Sequence, residues 1–305
     1  NMLPTPTPEG AAAIRERISL LKSELAQGQS ALRAAYEARD DALQLLRGRC
    51  QLVDEVLKAL WQDARLPPGL CLVAVGGYGR RELYPASDID LLFLLPDNVA
   101  QATERQLEAL IGLLWDIGLD IGHSVRTVWQ CLDEASRDIT VQTNLLESRL
   151  ICGSRSLFAE YTGKIRAQLA PKAFFKGKRL EQDERYVRYQ ETPYALEPNC
   201  KESPGGLRDL QVILWISRAA GLGDSWNDLA RRGFITRGEA LQLKGLEAFL
   251  RHARIRLHYL TARREDRLLF DHQEAVANQF GIVAGRTRRA AEILMQRYFR
   301  TAKSI

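Results

Sequence analysis

Two aspartates one residue apart, Asp88 and Asp90, lead into an apolar run, Leu91-Leu92-Phe93-Leu94-Leu95. An earlier apolar run, Leu70 to Val75, ends abruptly in Gly76-Gly77. Both runs are short, are bounded by Gly, Pro or Ser, and read as buried strands. Side chains at i and i+2 of a strand point to one face, so the two carboxylates stand side by side next to a glycine turn. Like charges in a partly buried place repel and tend to hold a proton. A divalent cation removes that conflict, and Mg²⁺ favours oxygen ligands, commonly one or two carboxylates plus substrate phosphates. The Gly76-Gly77 turn offers backbone N–H groups with no side chain in the way, which suits a phosphate. The chemistry indicated is at the phosphates of a nucleoside triphosphate.

Taken singly, these signals are weak. A D-x-D pattern means little in a chain with 38 acidic residues, and a Gly-Gly pair is usually only a turn. The joint pattern is far less common: strand, Gly-Gly, eleven positions from Gly77 to Asp88, D-x-D, strand.

Gly76-Gly77-Tyr78-Gly79-Arg80 together with Ser87-Asp88-Ile89-Asp90 resembles the nucleotidyltransferase superfamily that includes DNA polymerase beta. More narrowly, the chain resembles the amino-terminal domain of the bacterial protein-PII uridylyltransferase/uridylyl-removing enzymes. LDIGHSVRT (119–127), TNLLESRLICG (143–153) and EPNCKESPGGLRDLQ (197–211) carry the narrower resemblance, which runs from about residue 30 to the end.

The resemblance implies Asp88 and Asp90 as ligands of Mg²⁺ in a two-metal site. There the acceptor hydroxyl attacks the α-phosphorus of UTP and pyrophosphate leaves. It also implies an acceptor, a tyrosine of the PII signalling protein. A tyrosine hydroxyl, with a pKa of ~10, needs a metal or a carboxylate base to become a nucleophile. Asp120 is the candidate third carboxylate, as metal ligand or proton acceptor, and an edge-strand salt bridge is its other reading. Gly76 and Gly77 approach the phosphates by backbone, and Ser87 and Arg80 by side chain. Arg80 and Arg81 are adjacent and diverge, so only one reaches the site, and an ordinary surface arginine is equally in keeping with either. Pro204-Gly205-Gly206 leads into a helix, a natural anion-binding start, where Lys201 and Arg208 neutralise phosphate charge. The structural alternative there is a capped helix with Arg208 and Asp209 in ion pairs. Glu147 and Arg149 match a family motif as well as a helix-borne ion pair.

These residues need elements to position them. Residues 11–64 hold few breakers, and Ile18, Leu25, Leu32, Leu46, Val53 and Leu60 fall on seven-residue steps, with Arg39 in the missing place. Long amphipathic helices, as a helical hairpin, are expected, with Gly28 and Gly48 as candidate turns or weak points. Pro67-Pro68-Gly69 ends this region. Residues 101–117 carry a helical stripe stopped by Gly118, and 119–128 read as a third strand. There Leu119, Ile121, His123 and Val125 form an apolar face, and Asp120, Gly122, Ser124 and Arg126 a polar one. A helix between two strands points to a crossover and a mixed sheet. Helical stripes follow at 138–151 and 155–169, a charged stretch with Tyr186 and Tyr189 at 174–190, a loop at 191–206, and helices at about 207–220, 237–263 and 286–302. The expected class is α+β: N-terminal helices (1–66), a small mixed-sheet nucleotidyltransferase core (67–135), and a helical region completing the cleft (136–305).

Composition narrows the possibilities. The 305 residues carry a net charge of +5, which fits an anionic nucleotide but is too small to argue for nucleic acid. Five scattered cysteines without C-x-x-C read as free thiols in a reducing cytoplasm. No apolar run approaches the ~18–20 residues that span a bilayer, and no export signal is expected; Asn1 before Met2 reads as a cloning remnant. G-x-x-x-x-G-K-[ST] does not occur, Glu82 breaks the dinucleotide fingerprint after Gly77 and Gly79, and the four histidines lack metal-ligand spacing. No His-Asp dipeptide occurs, so the hydrolase (HD) and sensor (ACT) domains of the full family enzyme are not expected in this stretch. Two other readings stay open: adenylyl transfer to another protein or a small molecule, and a catalytically silent nucleotide-binding or scaffold module.

Overall fold

The computed structural model describes residues 8–189, 196–285 and 287–305. The Pro/Thr-rich opening, the first part of the expected 191–206 loop and Arg286 lie outside the described residues. The chain divides into two compact units, residues 1–83 with 87–167, and residues 84–86 with 168–305.

Unit 1 opens with helices α1 (Pro8–Arg39) and α2 (Ala42–Ala64). They form the expected hairpin, but the turn lies at Asp40, whose φ is 53°, with Asp41 capping α2 by accepting the Gln44 N–H at 2.9 Å. Arg39 therefore ends a helix instead of continuing the stripe. Gly28 and Gly48 are not turns. A Cβ at Gly28 would stand 2.6 Å from Leu52 Cδ1, and one at Gly48 2.5 Å from Leu32 Cδ2. Each glycine is a hole that admits a leucine of the facing helix, so the helices approach closely there.

After Gly69 come β1 (Cys71–Ala74), α3 (Gly76–Gly79), β2 (Ile89–Leu95), α4 (Gln101–Asp116), β3 (Ile121–Thr127), α5 (Val128–Arg137), α6 (Ile139–Leu146), β4 (Arg149–Gly153) and α7 (Arg155–Gln168). The sheet order is β3-β2-β1-β4. β1 is antiparallel to β2 and β4, and β2 is parallel to β3 through the α4 crossover, so the mixed sheet is as expected. Leu72, Ala74, Ile89, Leu91 and Phe93 face a core shared with α1, α2 and α4. Cys71, Val73, Val75, Leu92 and Leu94 face the other core, under α5, α6 and α7.

Three expectations need correction. The 138–151 helix stops at Leu146, and residues 149–153 are a fourth strand. Five residues are too few to show a period, and neighbouring helical patterns conceal them. Gly153 marks the strand's end: its φ is +94°, and a Cβ there would lie 2.4 Å from the Leu70 carbonyl. Secondly, His123 and Val125 are exposed. β3 is an edge strand, and His123 packs only edge-on against Trp115, with ring centroids 5.7 Å apart. Thirdly, Glu147 and Arg149 form no pair with each other; Arg80 takes Glu147 and Asp54 takes Arg149.

Unit 2 is helical: α8 (Pro171–Arg188), α9 (Leu207–Ala219), α10 (Trp226–Arg231), α11 (Arg237–Thr261), α12 (Phe270–Gln279) and α13 (Ala290–Ser304). α10 and α12 are too short to have stood out as stripes. All five cysteines are free thiols, and among the described residues no helix is long and apolar enough to cross a membrane.

Candidate active site

β2 starts on an acidic note because its two faces differ in fate. Residues 89, 91, 93 and 95 are buried against α1, α2 and α4. On the other face Leu92 and Leu94 are covered by the second core, whereas Asp88 and Asp90 are half-buried where that cover stops. Asp90 lies within β2, and Asp88 stands just before the strand begins.

Asp90 sits between two glycines. A Cβ at Gly76 would lie 3.3 Å from Asp90 Oδ2, and a Cβ at Gly122 would lie 2.8 Å from Asp90 Oδ1. Gly122 is the register partner of Asp90 in the parallel β2–β3 pair, so a bare backbone lies under one carboxylate oxygen. The same Gly76 Cβ would stand 3.4 Å from Asn144 Oδ1, which brings α6 to this place. Gly76 has φ +58°, a left-handed conformation that strains other residues. Gly77 is less constrained, since its Cβ would meet nothing closer than the Glu82 carbonyl at 3.5 Å.

The turn is held rigidly from outside. Tyr78 is buried, and its hydroxyl donates to Asp54 Oδ1 at 2.5 Å. Arg149 donates to both Asp54 oxygens, at 2.7 and 3.0 Å. Burial first, then the Asp54 charge, raises the Tyr78 pKa far above the usual range, so its hydroxyl stays a donor. Arg80 pairs with Glu147 and, at 3.4 Å, with Glu82. A Cβ at Gly79 would fall 1.7 Å from the Glu147 carbonyl oxygen, so only glycine lets α3 pass α6's end. Asp54, Asn144, Gly79 and Gly122 are site-building residues that sequence reasoning missed as such. Gly79, Gly122 and Asn144 stood in the quoted stretches without a role assigned to them; Asp54 carries no local signal.

Asp120 precedes β3, is exposed, and through its carbonyl accepts the Ile89 N–H at 2.8 Å. Alternation puts it on the face of Gly122, hence of Asp90. Ser87 is half-buried next to Asp88, and Arg81 is exposed with φ 65°. Among the described residues no three His, Cys, Asp or Glu side chains converge as a ready ligand set. The hard oxygen donors of Asp88 and Asp90 fit Mg²⁺ with remaining ligands from water and phosphates.

Lys201 and Arg208 lie in unit 2. Arg208 pairs with Glu202 at 2.9 Å and donates to Gln211 Oε1 at 3.0 Å. Lys201 stands 3.4 Å from Glu202. Burial, then the Arg254 and Arg208 charges, pushes Lys201 down to about 8. Burial alone would raise Glu202, but Arg208 and Lys201 hold it at about 2. At the α9 start, Asp209 accepts the Gly205 N–H at 2.7 Å and pairs with Arg185 at 2.5 Å. The capped and ion-paired arrangement is therefore present, with the half-buried Lys201 beside it.

Residues 173–305 match the family model described as GlnD PII-uridylyltransferase. Over 294 residues the chain is 55% identical to a bifunctional uridylyltransferase/uridylyl-removing enzyme of Aromatoleum aromaticum, covering 96% of this chain and 34% of the relative. Relatives with the same description from Nitrosospira multiformis and Burkholderia pseudomallei are 52% and 49% identical, each over 93% of this chain and 33% of their own length. The chain spans about a third of the length of the curated relatives it matches. The family resemblance read from the sequence is borne out.

Proposed function

We propose, for a chain that carries a domain of the GlnD PII-uridylyltransferase family, that it transfers UMP from UTP to a tyrosine of the PII signalling protein and releases pyrophosphate. Its setting would be cytoplasmic nitrogen-status signalling, with neither nucleic acid nor membrane as partner. The observation that carries this reading is the placement of Asp90. Its two oxygens lie against Gly76 and Gly122, with Asp88 two residues before it at the start of the strand.

Asp88 and Asp90 would hold Mg²⁺ in a two-metal site. When bound, the metal neutralises triphosphate charge and steadies the attacking and leaving oxygens. Gly76 and Gly77 present the first N–H groups of α3, which have no intrahelical partner, toward the phosphates. Ser87 adds a hydroxyl. Arg80, held by Glu147 and Glu82, fixes positive charge beside the turn. Lys201 and Arg208 neutralise phosphate charge; an anion near Lys201 would relieve the cost that holds its pKa at about 8. Asp120 accepts the proton of the tyrosine hydroxyl, which at its usual pKa of ~10 is a weak nucleophile.

The test is transfer. Incubated with Mg²⁺, PII protein and α-labelled UTP, the chain is expected to place label on a PII tyrosine and to release unlabelled pyrophosphate. Label entering product from ATP and not from UTP would overturn the uridylyl assignment.

A further inference from the structure

The sheet of unit 1 ends in two unlike edges. On one side β4 pairs with β1 through a register shift between Leu72 and Val73, an irregularity of the kind that protects an edge from further pairing. On the other side β3 keeps unbroken register with β2 over all seven residues, Ile121–Thr127, and contains no proline. Among the described residues no strand lies beyond it. The Asp120 carbonyl accepts from the Ile89 N–H at 2.8 Å. Main-chain groups alternate in direction along a parallel ladder. Residues 122, 124 and 126 therefore bond to β2, and the N–H and C=O groups of Ile121, His123 and Val125 point outward. Beside this edge is a groove of about 680 Å³, lined by Val125 and Thr127 of β3 and by Leu107 and Ile111 of α4. Asp97, Glu104 and Glu108 also line it, and no lysine or arginine does. Val125 is 41% exposed and Trp115, against the His123 ring, 56%.

A flat, open edge of this length is a liability unless a partner uses it. An extended peptide can add to such an edge: main-chain bonds give affinity, and pockets for alternate side chains give specificity. Both parts are present here, outward amides on β3 and an apolar groove at Val125. Charge selects the occupant. Glu104 and Glu108 stand four apart on one face of α4, a like-charge spacing that is unfavourable in a helix and that a visiting cation relieves. The edge also leads to the acid pair. Its Ile121 end adjoins Asp120 and Gly122, and Gly122 is the register partner of Asp90. We propose that β3 and the groove beside it dock an extended segment of the acceptor protein, with apolar side chains for the groove and a basic one for its rim. The segment leaves the strand at its Ile121 end and so brings the acceptor tyrosine to the acids. This inference rests on the reading of the chain as a uridylyltransferase acting on PII.

The test separates acceptor from nucleotide in the transfer assay. Val125→Pro removes one outward N–H, and because that amide does not bond to β2 the sheet is expected to persist. The combined change Glu104→Lys, Glu108→Lys reverses the charge of the rim. Each variant is expected to raise the KM for PII protein about tenfold, with kcat and the KM for UTP within about twofold of the unaltered chain. Independently of any variant, adding PII protein to the unaltered chain is expected to slow hydrogen exchange at the His123 and Val125 amides. The Ser124 amide, already bonded to β2, should change little. A KM for PII within about twofold in both folded variants, or His123 and Val125 amides that exchange equally with and without PII, would overturn the inference. Slowing that grows with the concentration of the chain alone would also overturn it, since a second copy would then cover the edge. An unaltered chain that binds UTP but places no UMP on PII would instead overturn the uridylyltransferase reading, and the docking role with it.

Discussion

Unit 1 and unit 2 both gather charge, but by different means. In unit 1 the acid pair lies within three residues of sequence, and the Asp90 carboxylate is bordered by Gly76 and Gly122. In unit 2 the charged groups are ion-paired with one another, over spans of 6 to 24 residues where Arg208 meets Glu202 and Arg185 meets Asp209. Lys201 and Glu202 meet Arg208, Asp209 meets Arg185, and Asp266 meets Arg254 and His258. In the first, glycines keep side chains away from two sides of the Asp90 carboxylate. The second is a network of side-chain ion pairs, in which one carboxylate, Glu202, faces two cations, Lys201 and Arg208.

If this contrast is right, the two units respond differently to substitution. The largest effect is expected at the acids. Asp88→Asn or Asp90→Asn should lower UMP transfer about 1,000-fold, roughly 4 kcal/mol at the barrier, with the melting temperature nearly unchanged. Steady-state transfer assays and calorimetry check this; a large loss of stability would mean the acids belong with the fold-holding charges. Next is the knot behind the turn. Arg149→Met strands the buried Asp54 carboxylate and should cost about 3 kcal/mol of stability, read from urea midpoints.

The glycines divide the turn more finely. Gly79→Ala drives a Cβ into the Glu147 carbonyl and should cost about 2–3 kcal/mol. Gly77→Ala should cost under about 1 kcal/mol, since its Cβ meets only ordinary contact. Equal losses at both would place the constraint elsewhere.

The smallest and most discriminating effect is acid lability. Glu202 is held at about 2 by its cationic neighbours. Its contribution is full above the unfolded carboxylate value of ~4.3 and is lost as pH falls toward about 2. Burial lowers the His258 pKa, so its neutral form favours folding above the unfolded value of ~6.5 and stability declines as pH falls below that. Both signs agree, because the unfolded state binds more protons. Hydrogen exchange between pH 7 and 3 should show unit 2 losing protection first.

The same contrast explains what could be read beforehand. The acid pair, the glycine turn, the helical hairpin and the α4 crossover are local patterns, and each is visible in a short window. Strand β4 is too brief for a period to emerge. Gly28 and Gly48 look like weak points because a sequence does not reveal which leucine fills the gap. His123 looks buried because alternation gives the face but not whether anything covers it. The place of Asn144 beside Gly76, and the pairing of Arg149 with Asp54, arise only when distant elements meet, and no local pattern gives either contact.

The central claim is tested most directly by titrating UTP into the chain by calorimetry, with and without Mg²⁺, before and after the combined change Asp88→Asn, Asp90→Asn. The account predicts Mg²⁺-dependent binding in the unaltered chain and its loss in a still-folded double variant. Equal Mg²⁺-dependent binding in both would contradict it.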